Sequence, residues 1–259
     1  VQGVGAITFE GNSCVVSVGF DGKLWGDSDR CVQCGQCTLV CPTGALSVRD
    51  ETDLALRFFA DSRVTTVVQM APAVRVALAE VLGAAPGKNL QGQIVTGLKK
   101  LGADFVCDTL WAADVTIMEE GTELFERLQK AREAGTLGSP DTMFTSCCPG
   151  WINHMEKAHP DLLPHLSSTR SPQAIFGALA KTWMAREKGI DARRIRVISI
   201  MPCTAKKGEA ARDQLARDGV PDVDLVLTVR ELARLFKREG IDILDIEPQD
   251  FDSAFMTEG

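Results

Sequence analysis

From about residue 64 onward, apolar runs alternate with amphipathic stretches. Val64–Met70 is an apolar, β-branched run, the pattern of a buried strand. Ala71-Pro72 ends it, and Val74–Leu82 carries helical periodicity. Gly83–Gln93, with three glycines and a proline, reads as a loop, and Ile94–Leu101 as a helix. A strand follows at Asp104–Thr109, then a long helix over Asp114–Ala134 with Asp114 as its cap. Thr142–Thr145 reads as a strand, and Pro149 stands at the favoured first position of another helix. Ser171-Pro172 opens a helix that runs to about Lys188. Ile195–Ile200 and Asp224–Thr228 complete the strands, with a last helix over Arg230–Glu239. This alternation predicts an α/β fold with parallel pairing. Residues 1–27 read differently, as short β segments broken at Gly3, Gly5, Glu10-Gly11-Asn12 and Asp21-Gly22.

A chain of 259 residues buries enough surface to hold a core without disulfides. Its 45% hydrophobic and 24% charged residues are those of an ordinary globular protein. With 35 acidic against 28 basic residues the net charge is −7, which argues against a nucleic-acid binder. No apolar stretch reaches the ~18–20 residues of a membrane span.

Nine cysteines change the picture. An odd number without a secretory signal argues against a disulfide framework. Four fall at Cys31, Cys34, Cys37 and Cys41, with Pro42 next: the C-x2-C-x2-C-x3-C-P run of bacterial ferredoxins. A compact loop of this kind aims three thiolates at one [4Fe–4S] cubane, and Gly35 permits close backbone approach. Structural zinc is the competing reading, but it favours paired C-x2-C knuckles set farther apart. In two-cluster ferredoxins the fourth cysteine ligates the other cluster, so Cys41 is expected to serve a second cubane. Cys14 is the one cysteine upstream, and the run reads as the second half of a pair begun before Val1. Cys14 and Cys107 read as small buried hydrophobes, and Met118 as core. His154, His159 and His165 are expected at the surface, and Arg186–Arg196 as a solvated charged face.

In open α/β sheets active sites lie at the carboxyl ends of strands. Three such ends stand out: Gln69-Met70-Ala71-Pro72; Phe144-Thr145-Ser146-Cys147-Cys148-Pro149-Gly150-Trp151; and Met201-Pro202-Cys203-Thr204-Ala205-Lys206-Lys207-Gly208-Glu209. Glu120, Glu123 and Arg127 share one face of the long helix, which by itself describes a solvated charged surface.

The second and third of these segments, behind a ferredoxin run, resemble the first two signature motifs of the [FeFe]-hydrogenase large subunit. The resemblance covers nearly the whole chain. It implies a ferredoxin-like iron–sulfur region (residues 1–60) followed by the first α/β lobe of the catalytic domain (residues 61–259). The implied cofactors are 4Fe-4S clusters and the H-cluster, a cubane joined through a thiolate to a di-iron unit carrying CO, cyanide and a bridging dithiolate. By the family pattern Cys148 and Cys203 are cubane ligands, and Cys147 passes protons to the bridging dithiolate. Lys206 hydrogen-bonds a cyanide. Pro72, Ala73, Met201 and Pro202 line the di-iron unit, and Ala73 lacks the hydroxyl that many relatives place there. The resemblance also turns the helix face into a proton route: Cys147, a water, Glu120, Ser167, Glu123, then solvent beyond Arg127.

The implied activity is reversible H2 formation from protons and electrons. The alternative is a hydrogenase-like protein without turnover, an H2 sensor or an iron–sulfur assembly factor. Retention of Cys147, Lys206, Glu120 and Glu123 together speaks for the enzyme. The third signature, a C-x3-C supplying two more thiolates, has no counterpart because no cysteine follows Cys203. The chain is therefore expected to be an internal fragment, inactive alone. Expected partners are an electron carrier (ferredoxin, cytochrome or an NAD(P)-linked diaphorase subunit) and H-cluster maturation proteins. The cytoplasm is the expected compartment, with the periplasm left open.

Overall fold

The computed structural model describes residues 2–10, 15–18, 28–136 and 142–253 of the chain. In chain order the elements are β1 (Ile7–Glu10), β2 (Val15–Val18), α1 (Gln36–Val40), α2 (Thr52–Ala60), β3 (Thr65–Met70), α3 (Val74–Val81) and α4 (Gln91–Leu101). There follow β4 (Phe105–Asp108), α5 (Leu110–Glu133), α6 (Pro149–Ala158), α7 (Pro172–Leu179), α8 (Ala185–Glu187), β5 (Ile195–Met201) and α9 (Ala205–Ala210). The last are β6 (Ala216–Arg217), β7 (Val220–Pro221), β8 (Leu225–Thr228) and α10 (Val229–Arg238). The chain forms two compact units, Val1–Val48 with Glu119–Thr169, and Arg49–Met118 with Arg170–Gly259.

The second unit is built on a four-stranded parallel sheet of order β4-β3-β5-β8. Its strands are the apolar runs of the sequence: Val67, Val68, Met70, Val197, Ile198, Ile200 and Leu227 are fully buried. β3 and β5 pair in register from Thr65↔Ile195 to Met70↔Ile200, and Ala71 N–H extends the ladder to the Ile200 carbonyl. Their carboxyl ends, Ala71-Pro72-Ala73 and Met201-Pro202-Cys203, therefore emerge side by side.

Local chemistry fixes the helix ends. Thr228 and Glu231 form a reciprocal capping box at the start of α10. Ser171 caps α7 through the Ala174 N–H. Gly102 closes α4 at φ 107°, and a Cβ there would lie 2.9 Å from the Phe59 carbonyl, so only glycine fits. Between α7 and α8 the helix widens into a π turn over Ala180–Met184.

In the first unit β1 and β2 pair antiparallel. The cysteine run wraps around the short helix α1, and α6 begins at Pro149 with Cys148 as its N-cap. A single parallel bridge joins Phe144 to Leu166.

Several expectations need correction. The long helix starts at Leu110, one turn before Asp114, because the Asp108 carboxylate takes the Leu110 N–H and Asp114 lies within the helix. α4 begins at Gln91, where Asn89 accepts the Gln91 N–H, so the preceding loop is shorter than the glycines suggest. Thr142–Thr145 is not a strand, since its one pairing is the Phe144 bridge. α2 was not foreseen in the sequence; Asp50 receives the Thr52 N–H and hydroxyl at its start. Met118 is 70% exposed rather than core, on a face of α5 that also shows Ile117, Leu124, Phe125 and Leu128. Cys107 is buried in the core as expected, while Cys14 lies outside the described residues. His159 is exposed, but His154 and His165 are half-buried beside the rings of Trp151 and Phe144. Arg186 and Arg193 are solvated as expected, whereas Arg196 is half-buried near Asp224.

Candidate functional site

The cysteine run is shaped to present sulfur. Ser28 Oγ accepts the Cys31 N–H at 3.2 Å, and Gln33, at φ 60°, turns its own N–H toward Cys31 Sγ at 3.4 Å. Gly35, at φ 73°, then starts α1, which carries Cys37. Burial pushes the Cys37 thiol up, and the neighbouring Cys31 and Cys34 thiolates add to the rise. Cys31 and Cys34 thus lie near enough to Cys37 to act on its thiol. Among the described residues no three His, Cys, Asp or Glu side chains converge closely enough to chelate one ion. Thiols spread around a loop suit a polynuclear iron–sulfur cluster, whose irons are themselves spread, better than a single zinc.

Cys41 stands apart at the end of α1. The Thr43 hydroxyl and the N–H groups of Leu46, Thr43 and Ala45 draw its thiol down to about 7. Donors aimed at sulfur stabilise the thiolate, the form in which cysteine ligates metals.

In the same unit, Cys147 and Cys148 are exposed just before α6. Glu120 Oε1 accepts the Ser146 N–H at 3.4 Å, which places this carboxylate one residue from Cys147. One turn along α5, Glu123 accepts the Ser167 hydroxyl at 2.7 Å and the Ser168 N–H at 3.0 Å. Arg127 clasps the same carboxylate at 2.6 Å and reaches the Leu166 carbonyl at 2.8 Å. The Phe144–Leu166 bridge holds this strand in place, with Ser167 N–H on the Phe144 carbonyl. Burial raises the Glu123 carboxyl, but Ser167, Arg127 and the Ser168 N–H outweigh it and hold the group below its ordinary range. Glu123, Ser167 and Arg127 are therefore brought together. No hydrogen bond joins Glu120 to Ser167, so the protein atoms alone leave a gap in the foreseen route.

In the other unit, Cys203 is half-buried at the end of β5. Pro72, Ala73 and Pro202 are exposed at the adjoining strand ends, whereas Met201 is buried. Lys206, on α9, places Nζ 2.8 Å from Glu209 Oε2. Gln173 donates to the same carboxylate at 2.9 Å and to the Lys206 carbonyl at 3.3 Å. Its Oε1 is a buried side-chain atom left without a hydrogen-bond partner. A polar atom orphaned beside Lys206 fits a site completed by a group from outside the protein.

Sequence reasoning missed two contributors. Gln69, wholly buried in mid-strand, donates to Ser199 Oγ at 2.8 Å and to the Gln173 carbonyl at 3.0 Å. It fixes α7 to the sheet beneath the strand ends. An amide inside an apolar run was the signal for it. Glu209 holds both Lys206 and Gln173, and its i+3 spacing from Lys206 was the available cue.

Residues 64–259 match the family described as the iron-only hydrogenase large subunit, C-terminal domain, and residues 25–47 match a 4Fe-4S binding domain. The chain is 45% identical over 243 residues to the NADP-reducing hydrogenase subunit HndD of Solidesulfovibrio fructosivorans, covering 94% of this chain and 41% of that protein. It is 34% identical to the cytosolic Fe-S cluster assembly factor narfl of Danio rerio, covering 73% of this chain and 46% of that one. A variant of apo [FeFe]-hydrogenase HydA1 from Chlamydomonas reinhardtii superimposes with a TM-score of 0.74 at 44% identity, over 80% of this chain and 52% of that structure. The chain thus spans about half or less of the length of these relatives. Among the described residues no helix is long and apolar enough to cross a membrane.

Proposed function

Since the chain belongs to the iron-only hydrogenase large-subunit family and binds iron–sulfur cofactors, we propose that the full protein catalyses the reversible reaction of two protons and two electrons to H2. The observation that carries this reading is the Glu123–Ser167–Arg127 cluster on the same structural unit as Cys147. An assembly factor has no need of a hydroxyl and two carboxylates graded from a thiol to the surface, whereas a proton-consuming enzyme does.

Cys148 and Cys203 are the thiolates of this chain that hold the cubane of the H-cluster. The loop of Cys31, Cys34 and Cys37 holds a relay cubane, and Cys41 serves another. When bound, the H-cluster supplies the two-electron chemistry at which protons and H2 interconvert. Cys147 gives and takes the proton at its sulfur. Glu120, held near it by the Ser146 N–H, is the next carboxylate. A water links Cys147 to Glu120, and Ser167 continues the route from Glu120, its hydroxyl handing the proton to Glu123 Oε2. Arg127 keeps Glu123 ionised and oriented, so it accepts a proton only transiently and releases it to solvent. Lys206 offers its ammonium to an anionic cyanide, with Glu209 and Gln173 setting its direction. Pro72, Ala73, Met201 and Pro202 shape the pocket wall at the ends of β3 and β5.

Electrons come from a soluble carrier. The name of the HndD relative favours an NADP-linked partner over a ferredoxin or cytochrome. We place the protein in the cytoplasm, matured there by H-cluster assembly proteins.

The test is anaerobic maturation of the full-length protein followed by H2 assay. Wild type should evolve H2, and Cys147→Ala should lose it while keeping its cubane EPR signals. Intact cubanes without any H2 turnover in wild type would move the reading to an iron–sulfur assembly or sensing role.

A further inference from the structure

Helix α6 links two cysteine sites of the same unit. It starts at Cys148 and ends beside the loop that begins at Cys31. Lys157, in its last turn, donates from Nζ to the Ser28 carbonyl at 2.7 Å and to the Cys31 carbonyl at 2.8 Å. One turn earlier, Asn153 Nδ2 donates to the Val32 carbonyl at 3.2 Å. At the start of the helix, the Val32 carbonyl oxygen and Cys148 Sγ lie 3.7 and 4.0 Å from the position a Cβ on Gly150 would take. The loop is thus laid along α6 by its backbone carbonyls.

The Lys157 contacts are unusual in one respect. Among the described residues no carboxylate pairs with this ammonium, whose charge is directed at the backbone of a cluster-binding cysteine. A cubane accepting one electron gains one negative charge and no proton is required. A cation fixed next to the ligand loop stabilises the reduced form more than the oxidised form. The side chain is exposed, so water and salt weaken the effect without removing it.

We propose that Lys157 is a positioning residue for electron entry: it fixes the Cys31 carbonyl against α6 and raises the reduction potential of the cubane held by Cys31, Cys34 and Cys37. This rests on the iron–sulfur reading of that loop and is independent of whether the full protein turns over H2. Asn153 is the neutral companion that sets the loop's distance, and Lys157 supplies the charge.

The experiment is an EPR-monitored redox titration of the full-length holoprotein, comparing wild type with Lys157→Arg and Lys157→Gln. EPR sees only molecules that carry the cubane, so partial loading of a variant does not obscure the result. Lys157→Gln should move one cubane signal to more negative potential. At a fixed potential near its midpoint, its reduced-to-oxidised ratio should fall by roughly three- to tenfold, the order expected for loss of one partly screened charge beside the ligand loop. Lys157→Arg should titrate as wild type, and the shift in Lys157→Gln should shrink at high salt. An unchanged potential in Lys157→Gln, or an equal shift in the Arg and Gln variants, would overturn the proposal. Absence of any cubane signal from this loop in wild type, with the other clusters present, would instead overturn the iron–sulfur reading beneath it.

Discussion

Lys206 and Lys207 are neighbours in sequence and serve different carboxylates. Lys206 Nζ meets Glu209 on its own helix at 2.8 Å, whereas Lys207 Nζ lies between Glu51 at 2.8 Å and Glu231 at 3.0 Å. Glu231 is also half of the capping box of α10, so Lys207 ties α9 to the approach to α2 and to the start of α10. This buried triad sets the rotation of α9, and through it the direction in which Lys206 points.

Lys207→Met should therefore be strongly destabilising, since it leaves Glu231 as a buried carboxylate without its cation, while Glu51 keeps only Arg49. The expected loss is about 3–5 kcal/mol, read from urea or thermal unfolding. Lys206→Met breaks a pair at the site and should cost only about 1–3 kcal/mol, while H2 turnover of the full protein collapses. Equal stability losses from the two variants would contradict this division of labour.

Glu123→Gln and Ser167→Ala each interrupt the hydrogen-bonded cluster on α5. In the matured full-length protein both should lower H2 evolution by roughly 100-fold, within the range for loss of a proton-transfer group. The cubane EPR spectra should be unchanged. Arg127→Lys should be milder, because an ammonium still neutralises Glu123 but cannot clasp it through two nitrogens. Gas chromatography of H2 alongside EPR separates transfer defects from assembly defects.

The depressed Glu123 carboxyl carries a pH signature. Its folded-state value lies below the ordinary 4.5, so the folded protein binds the proton less readily than the unfolded chain. The resulting stability is fully present above 4.5 and is lost as pH falls through the folded value. Unfolding curves of wild type and Glu123→Gln should differ most at neutral pH and converge as acid is added. A gap that stays constant down to strong acid would mean that the Ser167 and Arg127 contacts do not favour the carboxylate.

Cysteine exposure predicts a labelling order. In cluster-free protein, iodoacetamide should modify exposed Cys147 and Cys148 quickly and buried Cys107 only on unfolding. Peptide mass spectrometry on a time course reads this directly. Early labelling of Cys107 would contradict its place in the core beside β3.

The sheet was legible because its strands are largely apolar runs rich in β-branched residues, the pattern of buried parallel strands. Helices with a strong local signal, at Pro149 and Ser171-Pro172, were legible too. The start of α5 was not, because its cap comes from Asp108, at the end of a strand, while Asp114 offered a more conspicuous but unused carboxylate. Met118 misled because an apolar side chain at helical spacing reads as core whether or not anything covers it. At the site, the Cys31–Cys41 run declared itself through spacing, and Cys147, Cys148, Cys203 and Lys206 through their resemblance to family motifs. Lys157 did not, since a lysine in the last turn of a helix is common and its carbonyl partners lie more than 120 residues away in sequence.

The in-register pairing of β3 with β5 has a temporal side. Thr65 meets Ile195 across a gap in which α3, α4, β4 and the whole span from α5 to α8 must be made first. Pairings so distant in sequence close slowly, because the loop entropy is lost before the contacts form. On the ribosome, the edges carrying Pro72 and Pro202 cannot meet until residues near 201 have left the exit tunnel. Cys147 and Cys148 emerge well before that, so for an interval of synthesis these thiols are present in a chain whose sheet is still open. The nascent protein thus carries these thiols before the strand ends with Pro72 and Pro202 are brought together.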